Sequence, residues 1–261
     1  MEQFILPSRF AWQDGTKPNE RTVTIEPCYF GYGTTLGNAL RRVLLSSLEG
    51  AAVTAVKIDG AAHEFSALPH VQEDVIEILL NMKQLRLKVF ADEPVRLTLE
   101  AKGKREVTAA DIAPNSAVEI VNSDLHIATL THRDATIHME IIVQRGRGYS
   151  STESRGKQKL ELGTMTVDAV FTPIRNVGHR VENTRVGEIT NYDRLVLTIE
   201  TDGSITPEEA LNQAAKFLVD HFAIILNPST AASATVSETV VSEEAVEPIE
   251  PVAQPEPEAA E

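Results

Sequence analysis

The sequence predicts an α+β protein whose sheets are mostly antiparallel. Strand-like segments follow one another in a long run instead of alternating with helices, which argues against a parallel, doubly wound sheet. Two amphipathic helix patterns frame this run, one beginning near residue 34 and the other near residue 207. At 261 residues, the chain is long enough for one large domain or two smaller ones.

The first predicted elements are a strand and a helix with a glycine-rich turn between them. Residues 21–26 alternate polar and apolar side chains, which predicts a half-buried strand ending at Pro27. The turn Gly31–Thr35 leads into a helix, which one of its two threonines is expected to cap and which Gly50 is expected to end. The apolar stripe of that helix consists of Leu36, Leu40, Val43, Leu44 and Leu48.

The middle of the chain predicts a short helix and several strands. The helix is expected over Val71–Met82, because apolar residues recur there at helical spacing. Strands are predicted at 95–99 and 135–141. Two further sets of residues each share one strand face: Met165, Val167, Ala169 and Phe171, and then Leu195, Leu197 and Ile199. Turns are predicted at Lys102-Gly103, Pro114-Asn115 and Asp202-Gly203.

The second framing helix has a clear start. Thr206 is the expected N-cap, Pro207 the first helical residue and Glu209 the third, the arrangement of a capping box. Asn227-Pro228 is expected to end the helix. Its apolar residues recur at a spacing near 3.5: Leu211, Ala215, Leu218, Phe222 and Ile225. This spacing suits a seam against another helix, but periodicity alone favours an ordinary helix that covers a sheet of its own domain.

The negative charge of the chain is concentrated at its end. The formal net charge is −14, and residues 229–261 contain eight glutamates and no lysine or arginine, so −14 − (−8) = −6 remains for residues 1–228. The segment 229–261 is also rich in proline and lacks aromatic residues, which predicts disorder. Cys28 is the single cysteine, so no internal disulfide is possible. Without a signal-peptide or membrane-spanning pattern, the chain is expected to be cytoplasmic.

The turn Gly31–Gly37 is the one segment that resembles a cofactor site. It lies between a strand and a helix, and Asp59 follows at about the distance of a ribose ligand. The dinucleotide fingerprint, however, requires its third glycine where Leu36 stands, and Gly37 comes one residue late. No Gly-Lys-Ser/Thr follows, which also excludes a Walker-type phosphate loop. No cofactor is therefore predicted.

No catalytic or metal-binding pattern is evident in the sequence. The histidines do not combine with one another or with Cys28 at a zinc-binding spacing, and no serine lies in a Gly-x-Ser-x-Gly turn. The acidic pair Glu73-Asp74 is interpreted as a solvated helix face. We predict no catalytic residues and no metal site.

Two basic segments leave alternatives open. Arg41-Arg42 lies within the first helix, where the two arginines are either surface residues or ligands for a carboxylate of a partner. Residues 145–159 contain several basic residues and could contact nucleic acid, but Glu153 dilutes the charge and Tyr149 alone could stack. A solvated hairpin loop is the favoured interpretation there.

Several long motifs resemble one known family, the bacterial RNA polymerase alpha subunits. The motifs occur in the family's order between about residues 4 and 227: 31–47 (GYGTTLGNALRRVLLSS), 56–60 (VKIDG), 63–66 (HEFS), 71–75 (VQEDV), 81–83 (NMK), 143–149 (VQRGRGY) and 167–169 (VDA). Because the motifs are long and collinear, chance agreement is excluded.

The resemblance implies a domain organisation and a role. A discontinuous dimerisation domain would comprise 1–50 and 172–228, and a second domain, which contacts the large subunits, would be inserted at 51–171. The two framing helices would pack against those of a second copy. The apolar residues of the second helix that recur at a spacing near 3.5 would therefore belong to a homodimer interface. The chain would be a non-catalytic subunit of a nucleotidyltransferase, DNA-directed RNA polymerase, and would nucleate assembly of its beta and beta-prime subunits. Omega and sigma would join the wider complex, and DNA would be reached only through the assembled enzyme, at the nucleoid and not at a membrane.

The resemblance also implies two sets of interface residues. The interface with beta or beta-prime would include Gly37, Asn38, Arg41, Arg42, Glu64, Asp74, Lys83, Val167 and Asp168. The dimer interface would include Leu36, Leu40, Leu44, Leu211, Ala215, Leu218, Phe222 and Ile225. Among these, the position of Arg42 is the one associated with binding beta. The chemistry of polymerisation would reside in the other subunits.

Two departures from the family pattern have consequences. Family members usually have glycine at the position of His70, and a left-handed backbone there would cost a histidine about 1 kcal/mol. Typical members also continue into a small helical domain that binds promoter DNA, whereas this sequence ends in the acidic segment. No promoter contact by the chain itself is expected, because that segment would be repelled by phosphates.

Overall fold

The computed structural model describes residues 5–155 and 161–226 of the chain. The fold is α+β with mostly antiparallel sheets, which confirms the predicted class. The described residues up to 220 form one compact unit, and the described residues 221–226, the end of a helix, fall outside it.

The helices and strands of the described residues are numbered separately, each in chain order. The helices are α1 (Tyr32–Ser46), α2 (Val75–Met82) and α3 (Pro207–Leu226). The strands are β1 (Arg9–Asp14), β2 (Glu20–Cys28), β3 (Glu49–Ile58), β4 (Leu87–Val89), β5 (Val95–Lys102), β6 (Arg105–Thr108), β7 (Val118–Ile120), β8 (His126–Leu130), β9 (Thr136–Arg147), β10 (Tyr149–Ser150), β11 (Thr164–Thr166), β12 (Ala169–Val170), β13 (Ile174–Val186) and β14 (Ile189–Thr201).

One four-stranded sheet combines the two ends of the folded chain. Its order is β1-β2-β14-β13, and every neighbouring pair is antiparallel. Leu195 pairs with Ile25 and Leu197 with Val23, so the same face of both strands is buried. We call the apolar cluster on this face the outer core. It contains Val23, Ile25, Cys28, Leu40, Val43, Leu44, Leu48, Ile174, Val177, Leu195, Leu197, Ile199, Ala210, Leu211 and Ala214.

A second four-stranded sheet is built from the middle of the chain. Its order is β11-β3-β9-β5, again antiparallel, and the pairs β4–β7 and β6–β8 form separate two-stranded sheets. Most buried apolar residues of 53–167 form a second cluster, which we call the inner core. Helix α2 contributes three fully buried side chains to the inner core: Val75, Ile78 and Met82.

The chain enters and leaves the inner sheet at neighbouring points. A Cβ atom on Gly50 would lie 1.8 Å from the carbonyl oxygen of Phe171, so only glycine fits at this crossing. Phe171 also lies over Gly146, where an added Cβ would be 2.7 Å from its ring. The prediction that Gly50 ends the first helix is therefore wrong. Helix α1 ends at Ser46, and Gly50 lies in β3 because the backbone of residue 171 passes close to it.

The predicted starts of the first two helices also need correction. Helix α1 follows Gly31 at φ 79° without a side-chain cap, so neither threonine of the turn caps it. Helix α2 begins at Val75 and not at Val71, because residues 71–73 are attached to β8. Val71 forms a β-bridge with Leu130, and the next backbone N–H donates to the carbonyl oxygen of Thr129.

Most predicted strands are confirmed, with longer boundaries. The segment predicted at 21–26 continues through Pro27 to Cys28, because the ladder with β14 is irregular there and a bulge needs no N–H from proline. The segment predicted at 135–141 extends to Arg147, since β9 pairs with β3 on one side and with β5 on the other.

The remaining predicted strand faces are buried, but the first of them is divided between two short strands, β11 and β12, which lie in different sheets. Met165, Val167, Ala169 and Phe171 are all buried, and so are Leu195, Leu197 and Ile199. The glycines of two predicted turns, Gly103 and Gly203, have positive φ angles of 84° and 94°. These are left-handed conformations that glycine adopts at little cost.

Helix α3 begins as predicted. The backbone N–H of Glu209 donates to Thr206 Oγ1, and Glu209 Oε2 accepts from the backbone N–H of Thr206, both at 3.2 Å. These reciprocal bonds form the predicted capping box. The predicted end at Asn227-Pro228 and the acidic segment 229–261 lie outside the described residues.

Candidate partner-binding surface

The first two turns of α1 pack closely on the sheet at two glycines. A Cβ atom on Gly33 would lie 2.9 Å from Asp193 Cβ, and one on Gly37 would lie 2.7 Å from His179 Cδ2. The backbone N–H of Gly33 donates to Asp193 Oδ2 at 3.0 Å. The first turn of α1, where a cofactor phosphate would bind, therefore holds a carboxylate of the chain itself.

Asp193 is the anchor of α1, although it lies 160 residues further along the chain than Gly33. It is buried in β14, with 5% of its surface exposed. An anionic acceptor at a helix N-terminus satisfies a free amide and interacts favourably with the helix dipole. Through this bond the sheet positions the whole of α1, including its outer face.

The outer face of α1 is polar and cationic. Asn38, Arg41 and Arg42 are exposed, and they lie with Leu45 at spacings of three, four and seven residues, which places them on one face of the helix. Neither arginine forms an ion pair with a described residue. Gly37 is buried beneath this face, against His179. Both guanidinium groups are therefore available to carboxylates of a partner.

The residues of the predicted dimer interface occupy different environments. Three of them are buried in the outer core of their own chain: Leu40, Leu44 and Leu211. Three are half-buried against that core: Leu36, Ala215 and Leu218. Two on the last turns of α3 are largely exposed, Phe222 at 63% and Ile225 at 75%. The seam is therefore a core surface in the first part of α3 and an exposed apolar surface at its end.

Lys83 and Asp168, which come from distant motifs, lie together in the inner sheet region. Lys83 Nζ is 3.6 Å from Asp168 Oδ2, and both side chains are about one-third exposed. A bond from the backbone N–H of Thr152, together with the charge of Lys83, holds the pKa of Asp168 below its usual value. The two residues form a partly solvated ion pair.

The other predicted interface residues near the inner core differ in accessibility. Glu64 and Asp74 are exposed, and Asp74 precedes the first residue of α2. Val167 is buried in the inner core, and its carbonyl oxygen accepts a bond from the guanidinium of Arg155. Its side chain therefore packs within the chain.

Comparison with known proteins gives consistent matches. Residues 56–172 match the family model described as the RNA polymerase Rpb3/RpoA insert domain. The DNA-directed RNA polymerase subunit alpha of Alkaliphilus oremlandii is 49% identical over 203 residues, which are 78% of this chain and 64% of that protein. The subunits of the same name from Oceanobacillus iheyensis and Desulforamulus reducens are 50% and 52% identical over 202 residues, which are 77% of this chain and again 64% of each relative.

The chain belongs to the bacterial RNA polymerase alpha-subunit family. It spans 64% of the length of the curated relatives that it matches. The family resemblance predicted from the sequence motifs is thereby confirmed.

His70 has the left-handed backbone that was expected at this position. Its φ angle is 64°, the only positive value for a non-glycine residue among the described residues. Its ring stacks on that of His132, with centroids 4.8 Å apart. Its carbonyl oxygen accepts bonds from the N–H and hydroxyl of Thr131, at 2.9 and 3.0 Å. These contacts hold a conformation that costs a non-glycine residue about 1 kcal/mol.

The basic residues at the end of β9 are neutralised within the chain. Arg145 and Arg147 both bind the carboxylate of Glu49, at 2.7 and 2.6 Å, and Arg145 also binds Asp92. Because Arg147 and then Arg145 donate to it, the pKa of Glu49 is lowered despite partial burial. The prediction of a solvated loop starting at Arg145 is wrong, since Glu49 and Arg147 are paired in the ladder of β3 and β9.

Glu73 has a structural role that sequence reasoning missed. Its carboxylate accepts from the N–H and hydroxyl of Thr129, at 2.6 and 2.8 Å, and lies 3.1 Å from His126 Nε2. Burial acts to raise the pKa of Glu73, but the bonds from Thr129 and His126 outweigh it and hold the pKa below 4.5. An acidic pair before a helix gave no indication of this, because the partners lie more than fifty residues away.

Within 5–155 and 161–226, no three histidine, cysteine or carboxylate side chains are grouped so that they could hold a metal ion. None of the helices in the same part of the chain is long and apolar enough to cross a membrane.

Proposed function

We propose that this chain acts as the alpha-subunit platform of a bacterial DNA-directed RNA polymerase. In this role it homodimerises and nucleates assembly of the beta and beta-prime subunits, without taking part in the chemistry of nucleotide addition. The names of its relatives support the membership of such a nucleotidyltransferase complex. The chain would reside in the cytoplasm with the nucleoid, and omega and sigma would join the complete enzyme.

The division into domains supports this role. We propose that residues 1–50 and 172–228 form the dimerisation domain and residues 51–171 the inserted domain. The separate outer and inner cores support this division, as does the match of 56–172 to an insert-domain model. The segment 229–261 would be a separate acidic tail.

The observation that carries the proposal is the outer face of α1. Arg41 and Arg42 are exposed without an ion pair among the described residues, on a helix whose first turn is bonded to the central strand β14 through Asp193. A cation held on a rigid element and left without a partner is suited to a carboxylate of another protein. We assign this face to the beta subunit.

A second surface supports dimerisation. The exposed end of α3 carries several large apolar side chains: Val219, Phe222, Ile224, Ile225 and Leu226. Apolar side chains grouped in this way on a helix favour association with another apolar surface. We assign them to the contact with a second copy, while Leu40, Leu44 and Leu211 would support the contact from within the core.

The test removes one guanidinium from α1. Arg42→Ala should leave the dimer intact and weaken capture of purified beta subunit by about 30-fold, which corresponds to about 2 kcal/mol for a lost charge pair at an interface. Arg185→Ala is the matched control, because Arg185 is also exposed, lies outside the inserted domain and forms no ion pair with a described residue. Capture by Arg42→Ala equal to that by the control would refute the assigned role.

A further inference from the structure

Helix α1 lies in a part of the sequence whose only charged residues are two arginines. Residues 27–48 contain Arg41 and Arg42 and no aspartate, glutamate, lysine or histidine. We call these two residues the α1 arginines. Neither has a carboxylate of the described residues as its partner, although the chain contains 38 acidic and 24 basic residues. This face of α1 is therefore open to a carboxylate from outside the described part of the chain.

The carboxylates that adjoin α1 along the chain and in the sheet are engaged elsewhere. Glu26, before the helix, is paired with two arginines, and Glu49, after it, is paired with two others. Asp193 of β14 accepts the backbone N–H of Gly33 at 3.0 Å. These three carboxylates therefore leave the charge of the α1 arginines in place.

Strand β13 presents no acidic side chain to the helix. Its residues His179 and Val181 lie against glycines of α1. Because side chains alternate along a strand, Glu182 points to the opposite face of the sheet, where it is paired with Arg180. The two glutamates in the first turn of α3 are engaged as well, one with Arg21 and one in the capping box. The α1 arginines thus form a site of net positive charge.

The most acidic segment of the chain follows α3. Residues 229–261 contain eight glutamates and no lysine or arginine. One exposed ion pair is weak, but many glutamates held close to two arginines can replace one another there, which raises the total occupancy. Charge complementarity therefore selects this segment as the occupant of the α1 arginines.

A second copy of the chain can supply the segment. The end of α3 is assigned above to the contact between two copies, so this inference rests on the proposed dimer. The segment of one copy then begins at the boundary with the other. Residues 227–238, up to the first glutamate of the segment, can span about 40 Å when extended. Helix α1 is about 22 Å long, so this reach is sufficient.

We propose that the acidic segment 229–261 of one copy binds the α1 arginines of the other copy and competes there with the beta subunit. Capture of beta then requires the segment to leave. If the segment occupies the arginines for about two-thirds of the time, capture is about 3-fold weaker, because only the remaining third of the molecules can bind. The segment would keep the charges of α1 covered before assembly.

The test uses mixed dimers, in which two differently tagged copies are co-expressed and purified through both tags. The receiving copy keeps the α1 arginines, and all eight glutamates of its segment are replaced by glutamine. The donating copy keeps its glutamates and carries Arg41→Ala/Arg42→Ala. Capture of purified beta should be about 3-fold weaker than by a reference dimer in which the donating copy also has glutamine at the eight positions. The difference should vanish at 0.5 M salt, which screens exposed charges.

A second measurement does not involve beta. A nitroxide attached to the donating copy at Glu250→Cys should broaden the amide resonances of α1 in an isotope-labelled receiving copy. Cys28 is buried and should not take up the label. Replacing both α1 arginines of the receiving copy by alanine should abolish the broadening. The matched control Arg175→Ala/Arg185→Ala, which removes two exposed charges from β13, should retain it.

The outcomes separate this inference from the proposed function. Equal capture by the two mixed dimers, or broadening that persists without the α1 arginines, would overturn the inference. Broadening that depends on the α1 arginines would support the contact even if no dimer captured beta, and the assembly role alone would then be refuted. Failure to recover both tags in one complex would refute the proposed dimer, and this inference with it.

Discussion

Replacing Asp193 by alanine tests how the sheet positions α1. The change removes the acceptor of the Gly33 N–H bond from a site where Asp193 is 5% exposed, and it leaves a buried amide without its partner. An unsatisfied buried donor costs about 1–3 kcal/mol, and the loss of a helix cap costs about 0.5–2 kcal/mol. We expect Asp193→Ala to lower the free energy of unfolding by about 2 kcal/mol.

This loss has two measurable consequences. The thermal midpoint should fall by about 4–8 °C, since each kcal/mol corresponds to about 2–4 °C for a protein of this size. Amide exchange in the first turn of α1 should accelerate by up to about 30-fold, because local opening there no longer breaks the bond to Asp193. Both measurements require a fixed protein concentration, since association would also change the midpoint.

Two further variants make the outcome specific. Asp193→Asn keeps an oxygen acceptor and should recover about half of the lost stability, whereas Asp134→Ala removes an exposed carboxylate and should change little. The reasoning would be refuted by equal midpoints for Asp193→Ala and Asp134→Ala. A uniform acceleration of exchange over the whole chain, with none localised to α1, would refute it as well.

Three other predictions follow from contacts in the structure. Gly50→Ala should lower the free energy of unfolding by at least about 3 kcal/mol, because the new Cβ would lie 1.8 Å from a carbonyl oxygen; Gly178→Ala, with nothing within 4 Å, should be nearly neutral in the same denaturation assay. His70→Gly should raise the thermal midpoint by about 2–4 °C by relieving the left-handed backbone, and a fall would mean that stacking outweighs this strain. Glu73 has a lowered pKa, so its stabilising effect is complete above pH 4.5 and is lost as the pH falls through the folded-state value. Acid titration of unfolding should therefore show a smaller loss for Glu73→Gln than for the unaltered chain, and parallel curves would contradict the assignment.

Local signals in the sequence predicted those elements whose determinants are close together along the chain. The capping box of α3 involves only residues 206–209, and it forms as expected. The alternation of residues 95–99 likewise predicts a strand that is present, because one face of β5 packs on the inner core. The fold class and the family followed from such local patterns and motifs.

Long-range partners account for what the sequence could not predict. No pattern near Gly31 indicates that α1 is anchored by Asp193. In the sequence, the basic residues 145–147 resemble a free cationic segment. In the structure, β9 pairs with β3, and this pairing places Glu49 against Arg145 and Arg147.

The close passage of Gly50 and Phe171 has a consequence for the order in which the molecule folds. Strand β2 lies between β1 and β14, and β14 is synthesised more than 160 residues after β2 begins. Residues 53–167 contain all the members of the inner core and are complete much earlier. Once residues 53–167 have folded, the chain segments on either side of them lie next to each other at Gly50 and Phe171. The effective loop between β2 and β14 is then shorter, so the entropy cost of pairing these two strands is smaller. The middle of the chain thus folds first and brings the two ends together. We expect it to gain protection from amide exchange first during refolding.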